Sequence, residues 1–146
     1  MEMKKSHLFA PILLFSTLPA QALDFQIAAG YGAQYGVLGA QLSAIDGDTK
    51  YYVSAGLLGR GIGFNTALSD DKKYAVGALV GRFDGIFSSD TDFSGLTLNY
   101  RPNGLAGKGW DFGVGVSYYE REEYSWFSEN KSESGVTLLF NLGYAF

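Results

Sequence analysis

Carboxylates and hydroxyls crowd one stretch of the chain, "DGIFSSDTD", which holds Asp84, Ser88, Ser89, Asp90 and Asp92. A serine hydroxyl becomes a useful nucleophile only beside a base that takes its proton, and histidine is the usual one. The single histidine is His7, within the leader described below. The stretch is therefore expected to be a solvated acidic loop. "DGDTK", with Asp46 and Asp48, opens like a calcium loop, but its glycine is misplaced and no glutamate closes it at the required spacing. A hairpin turn is the better reading. "GRGIGF" (Gly59 to Phe64) lacks the spacing of a phosphate-binding loop, and no helix follows it. "NKS" (Asn130 to Ser132) matches a glycosylation sequon, a three-residue match that means little by itself. "YSWFS" places Tyr124, Trp126 and Phe127 in one polar connection, a candidate contact with a partner or with lipid headgroups. No catalytic residue, metal ligand or cofactor is expected.

The elements that carry these residues begin after a leader. Lys4 and Lys5 precede an apolar core, Leu8 to Leu18, and Ala20-Gln21-Ala22 offers the small-x-small pattern of a cleavage site, with Ala20 and Ala22 as its small residues. Residues 1–22 are expected to be a cleaved signal peptide and residues 23–146 one exported domain. The net charge of −4 argues against a nucleic-acid partner. The chain has no cysteine, so an exported domain of this size needs a source of stability other than disulfides.

Beyond Leu23, apolar residues recur at every second position in eight runs, near 25–32, 37–45, 51–58, 61–68, 74–82, 93–100, 109–119 and 135–146. One face of these runs is apolar throughout, from Phe25, Ile27 and Tyr31 to Leu142, Tyr144 and Phe146, with Thr66 the sole interruption. The other face is small or polar, rich in glycine, serine, asparagine and glutamine, with Leu58, Leu79 and Leu139 as apolar exceptions. In a soluble barrel the second face would meet water and carry charge. Here nearly all charge falls in the connections, and glycine gives a water-facing strand nothing. A membrane barrel inverts the arrangement: the apolar face meets lipid and small residues fill a narrow lumen. The fold expected is an all-β, eight-stranded antiparallel up-and-down transmembrane β-barrel. Counting up and down gives outer loops near 33–36, 59–60, 83–92 and 120–134, and periplasmic turns near 46–50, 69–73 and 101–108. Phe25, Tyr51, Tyr74, Tyr100, Trp110 and Phe146 then gather at the periplasmic rim as an aromatic girdle.

This pattern resembles the small outer-membrane β-barrels of Gram-negative bacteria, of the OmpA/OmpX type. The resemblance covers the exported domain as pattern and is most specific at Phe140, Leu142, Tyr144 and Phe146, which look like the family's C-terminal assembly signal. That signal often has a glycine where this chain has Asn141, although Gly143 lies nearby. The resemblance implies location in the bacterial outer membrane, contact with its lipid and lipopolysaccharide, and recognition by the barrel-assembly machinery. Glu120, Glu122, Glu123, Glu129 and Glu133 are expected to be solvated, as charged loops usually are, with weak binding of divalent cations near lipopolysaccharide the lesser alternative. Some similar barrels remodel lipid A with a histidine, a serine and a carboxylate. Residues 23–146 have no histidine. The expected role is non-enzymatic, structural or interactive, carried by outer loops 83–92 and 120–134, with the external partner unspecified. The alternatives are passage or binding of small apolar molecules and, behind it, a histidine-free lipid-modifying enzyme.

Overall fold

A computed structural model describes residues 23–84, 89–123 and 131–146. The alternating runs become eight strands: β1 (Asp24–Gly32), β2 (Val37–Asp46), β3 (Thr49–Gly56), β4 (Gly59–Ala67), β5 (Tyr74–Asp84), β6 (Ser89–Tyr100), β7 (Gly109–Glu123) and β8 (Lys131–Ala145). Each pairs antiparallel with the next, and β8 returns to β1, closing the barrel. Turn chemistry ends the strands. Gly47 takes a left-handed φ of 59° between Asp46 and Thr49, leaving a two-residue turn where "DGDTK" was read as a hairpin. The end of the barrel with that turn, segments 68–73 and 101–108 and both strand termini is here called the base, and the opposite end the crown.

Register sets the shape. A row of paired residues runs from Phe25 through Ala44, Tyr51, Phe64, Ala78, Leu96 and Val116 to Leu138. Extending the β8–β1 register returns that row to the first strand at position 35, a stagger of about ten residues per circuit. Strands so staggered tilt by roughly 40° to the barrel axis. Once the stagger is allowed for, Phe25, Tyr51, Tyr74, Tyr100, Trp110 and Phe146 lie within about three residue steps of one level, at the base.

The apolar face points outward on every strand. Its large residues are exposed, from Leu57 at 77 % and Val136 at 74 % to Tyr100 at 37 %. The alternate face is buried or half-buried along most of each strand, with Glu133 and Thr137 exposed near the crown. Towards the crown it is apolar, a cluster of Ala33, Tyr52, Leu79, Phe93 and Leu139 flanked by the half-buried Phe83 and Tyr119. Towards the base it is polar, with Gln26, Gln41, Ser43, Lys50, Asn65, Asn99, Arg101 and Asp111 all buried.

Several expected connections need correction. Segment 33–36 is not an outer loop: Gly32, at φ 116°, turns the chain inward and Ala33–Tyr35 form one 3₁₀ turn inside the lumen, closed by Gly36 at φ 65°. All three residues are buried, Tyr35 completely. The lumen has room because a Cβ on Gly143 would overlap the Tyr35 ring, and one on Gly30 would lie 2.9 Å from it. Lys50 is not part of a turn but the second residue of β3, and Arg101 and Leu105 tuck under the base rather than into solvent. The β3–β4 turn falls at 57–58, so Leu58 is a half-buried turn residue and not a lumen one. Strands β5 to β8 also run further towards the crown than their apolar alternation, absorbing 83–84, 89–92, 120–123 and 131–134.

Candidate functional site

The lumen is where charge and hydrogen-bonding capacity converge. Parity along β3 turns Lys50 inward with Tyr52 and Ser54, and parity along β7 turns Asp111 inward with Gly113. Their side chains meet, Lys50 Nζ to Asp111 Oδ2, at 3.7 Å, with 3 % of each exposed. Lys50 also donates to Gln41 Oε1 at 3.0 Å and lies 5.6 Å from the centre of the Tyr52 ring. Asp111 accepts from Asn99 Nδ2 at 2.8 Å on one oxygen and from the Tyr35 hydroxyl at 3.4 Å on the other. The carboxylate is thus held by an ammonium and two neutral donors, which is how a buried charge is made tolerable.

The inward turn completes the network. Gln34 Nε2 donates to Thr97 Oγ1 and to Asn99 Oδ1, each at 3.2 Å, and its Oε1 accepts from Asn99 Nδ2 at 2.9 Å. Asn65 donates to the same Asn99 oxygen at 2.8 Å. The main chain joins in: Gln34 N–H donates to Asn141 Oδ1 at 2.9 Å, and Gln41 Nε2 donates to the Gln34 carbonyl at 3.1 Å. At the base, the two terminal guanidinium nitrogens of Arg101 find partners without a carboxylate, while its buried Nε has none. The terminal nitrogens donate to the Leu105 carbonyl at 2.6 Å, to Gln26 Oε1 at 2.9 Å and to the Gly107 carbonyl at 3.0 Å. Side chains from every strand but β5 therefore cross-link through the lumen or at its base.

Outside, two features frame the apolar wall. At the base, Tyr74 and Tyr100 pair across β5 and β6 with ring centres 5.0 Å apart, and Trp110 meets Tyr144 edge to face at 5.4 Å. Tyr144 in turn meets Phe146 at 5.5 Å. Phe140, Leu142, Tyr144 and Phe146 all face outward on or just past β8. At the crown, Arg60 and Arg82 stand directly opposite each other on β4 and β5. Like charges so placed repel, and each is offset by a carboxylate: Arg60 by Asp84 at 3.2 Å, Arg82 by Asp92 at 2.7 and 3.1 Å. The Arg82 hydrogen bonds, against a small opposing desolvation, hold the Asp92 carboxyl below its usual range.

Two of the carboxylates in "DGIFSSDTD" are thus engaged by arginine. Residues 85–88 between them lie outside the described residues, as do Tyr124, Trp126 and Phe127 and the expected leader with Ala20 and Ala22. Among the described residues no group of three or more acidic, histidine or cysteine side chains is arranged to hold a metal. The lumen residues Lys50, Arg101, Gln34 and Tyr35 escaped the sequence reading. Parity signals the first two, since Lys50 continues the inward series of Tyr52, and Arg101 that of Asn99.

The chain matches no protein-family model, no curated protein and no solved structure in comparisons of sequence and fold.

Proposed function

We propose that this chain is an outer-membrane β-barrel of a Gram-negative bacterium that is not an enzyme and acts through what its crown presents outside. The single observation that carries the reading is the continuous apolar outer wall around a polar, hydrogen-bonded lumen. In water that wall would be exposed at great cost; in lipid it is the favourable surface. Its height agrees. From Trp110 to Tyr118, β7 spans about 26 Å at ~3.3 Å per residue, or about 20 Å along the axis at a tilt near 40°. Closure pairs main-chain groups that lipid cannot satisfy.

On this reading the base faces the periplasm and its aromatics sit at the lipid boundary. Phe140, Leu142, Tyr144 and Phe146 serve the barrel-assembly machinery during insertion. Lipid and lipopolysaccharide contact the wall, and regions 83–92 and 120–134 meet an external partner. The non-enzymatic reading is supported by residues 23–146 having no histidine to activate a serine, and by Asp84, Asp92 and the lumen's Asp111 serving arginine, lysine and amide partners. A second reading, binding or passage of a small apolar molecule, draws on the apolar crown half of the lumen around Leu79, Phe93 and Leu139. It requires the stacked Phe83 and Phe93 rings, 4.4 Å apart, to separate.

Fractionation tests the proposal directly. The chain is expected in the outer-membrane fraction, running at different positions on a detergent gel before and after boiling. Free solubility in the periplasm would overturn it.

A further inference from the structure

The charges buried in the lumen do not balance. Lys50, Arg101 and Asp111 are each 2 % exposed, and no other charged residue is buried among the described ones. Two cations share one carboxylate, which leaves one positive charge over. Charged side chains are almost never fully buried without a counter-charge. The β6–β7 register, continued one step past Tyr100 and Phe112, sets Arg101 opposite Asp111. Asp111 nevertheless turns to the Lys50 ammonium and to the donors of Asn99 and Tyr35. Arg101 takes part in none of the ion pairs of the described residues. Its terminal nitrogens meet neutral oxygens, and its buried Nε–H has no acceptor. Nor is the side chain free to swing out to water. Leu105, 1 % exposed, closes the base beside it, and Gln26 fastens that segment by donating to the carbonyls of Ala106 at 3.3 Å and Gly107 at 3.1 Å. Lys50 has donors to spare as well. Its 3.7 Å to Asp111 is too long for a hydrogen bond, so Gln41 accepts just one of its three hydrogens.

We propose that the base of the lumen binds one small monovalent anion of chloride size, held by the Arg101 Nε–H and by the positive charge that Arg101 and Lys50 carry in excess of Asp111. The chemistry of the ligand follows from the site. A cation would add to the excess. A water molecule would accept from the Nε–H but leave the charge uncompensated. A doubly charged anion would replace a buried excess of one sign by the other. The seal formed by Leu105 and its segment favours a bare ion over an organic acid. The folded barrel then carries the anion as a structural component, taken up as the base closes. This site rests on the lumen alone, so it stands or falls separately from the reading of the outer wall.

The test is urea unfolding of the full barrel in vesicles, with sodium chloride progressively replacing sodium gluconate at constant sodium. An anion bound by the folded chain alone makes stability depend on its concentration. Each tenfold rise in chloride above the dissociation constant is expected to lower the unfolding constant about tenfold. Lys50→Met removes the excess charge without touching Arg101, and is expected to lose that response. Asp111→Asn doubles the excess, and is expected to move the onset of the response to roughly tenfold lower chloride. A second measurement needs no variant. Crystals of the full barrel grown in sodium bromide are expected to show one anomalous-scattering peak within hydrogen-bond reach of Arg101 Nε. An unfolding constant that ignores the exchange of chloride for gluconate overturns the proposal. So does a chloride response that Lys50→Met leaves unchanged, or a water molecule alone beside Arg101 Nε in the bromide crystals.

Discussion

Lys50 and Asp111, on β3 and β7, form an ion pair across the lumen at 3.7 Å with almost no exposure of either side chain. Neither charge has water to fall back on. Asp111→Asn leaves the buried ammonium its hydrogen bond to Gln41 but removes its counter-charge, and should cost about 3–5 kcal/mol. The pair replaced together, as Lys50→Met with Asp111→Leu, should cost less than the single change. Urea unfolding of the barrel in vesicles measures both. A neutral Asp111→Asn would show that the pair does not hold the lumen together.

Gly143 and Tyr35 should couple. Gly143→Ala drives a methyl into the Tyr35 ring, and overpacking of this kind costs about 1–3 kcal/mol. In Tyr35→Ala the obstruction is gone, so the same glycine change should cost far less there. A double-mutant cycle on unfolding midpoints reads the difference. Additive effects would mean that the ring does not occupy this place.

The outer wall separates lipid from water. Val114, half exposed in the middle of β7, is a surface residue to a soluble protein, and Val114→Arg would then change stability by no more than about 0.5 kcal/mol. In a bilayer it should cost about 2–4 kcal/mol, and Leu57→Arg near the crown should cost about 0–1 kcal/mol. Folding titrations into vesicles give both values. Equal costs at the two depths would contradict a lipid-facing wall.

The base turn should respond to acid. The Ser69 hydroxyl and the Lys73 N–H both donate to Asp71 Oδ1, at 2.5 and 3.1 Å, and these bonds hold the carboxyl below its ordinary range. A carboxyl depressed in the folded state stabilises the turn above its unfolded value, near ~4, and loses that contribution as pH falls through the folded one. Amide exchange at Lys73, corrected for its intrinsic pH dependence, should therefore show protection lost only under strongly acidic conditions. Asp71→Asn should flatten the profile. Protection lost already near pH 5 would mean that another group controls the turn.

The strands, their order and the outward direction of Phe25, Leu98 or Val136 were legible because alternation is a local property and parity propagates along each strand. What the lumen contains was not. Gln34 and Tyr35 sit in a short connection with nothing local to say whether it points out or in. The decisive contacts come from Asn99 and Gly143, far away in the chain. Lys50 and Arg101 were hidden differently: charge beside turn residues reads as solvated, although the parity of Tyr52 and Asn99 already aimed both inward. The side chains of the proposed external contact, Tyr124, Trp126 and Phe127, are beyond what the described residues address.

The inward turn also bears on how the sheet closes. Sliding β8 along β1 by two residues would keep every side chain on its proper face, so the apolar pattern does not discriminate among such registers. A four-pair seam has little main-chain preference of its own. The contents of the lumen do discriminate: Tyr35 fits only against Gly30 and Gly143, and Gln34 N–H reaches Asn141 in one alignment. Ala33–Tyr35 thus act as a mandrel inside the sheet, fixing the one alignment in which the seam closes.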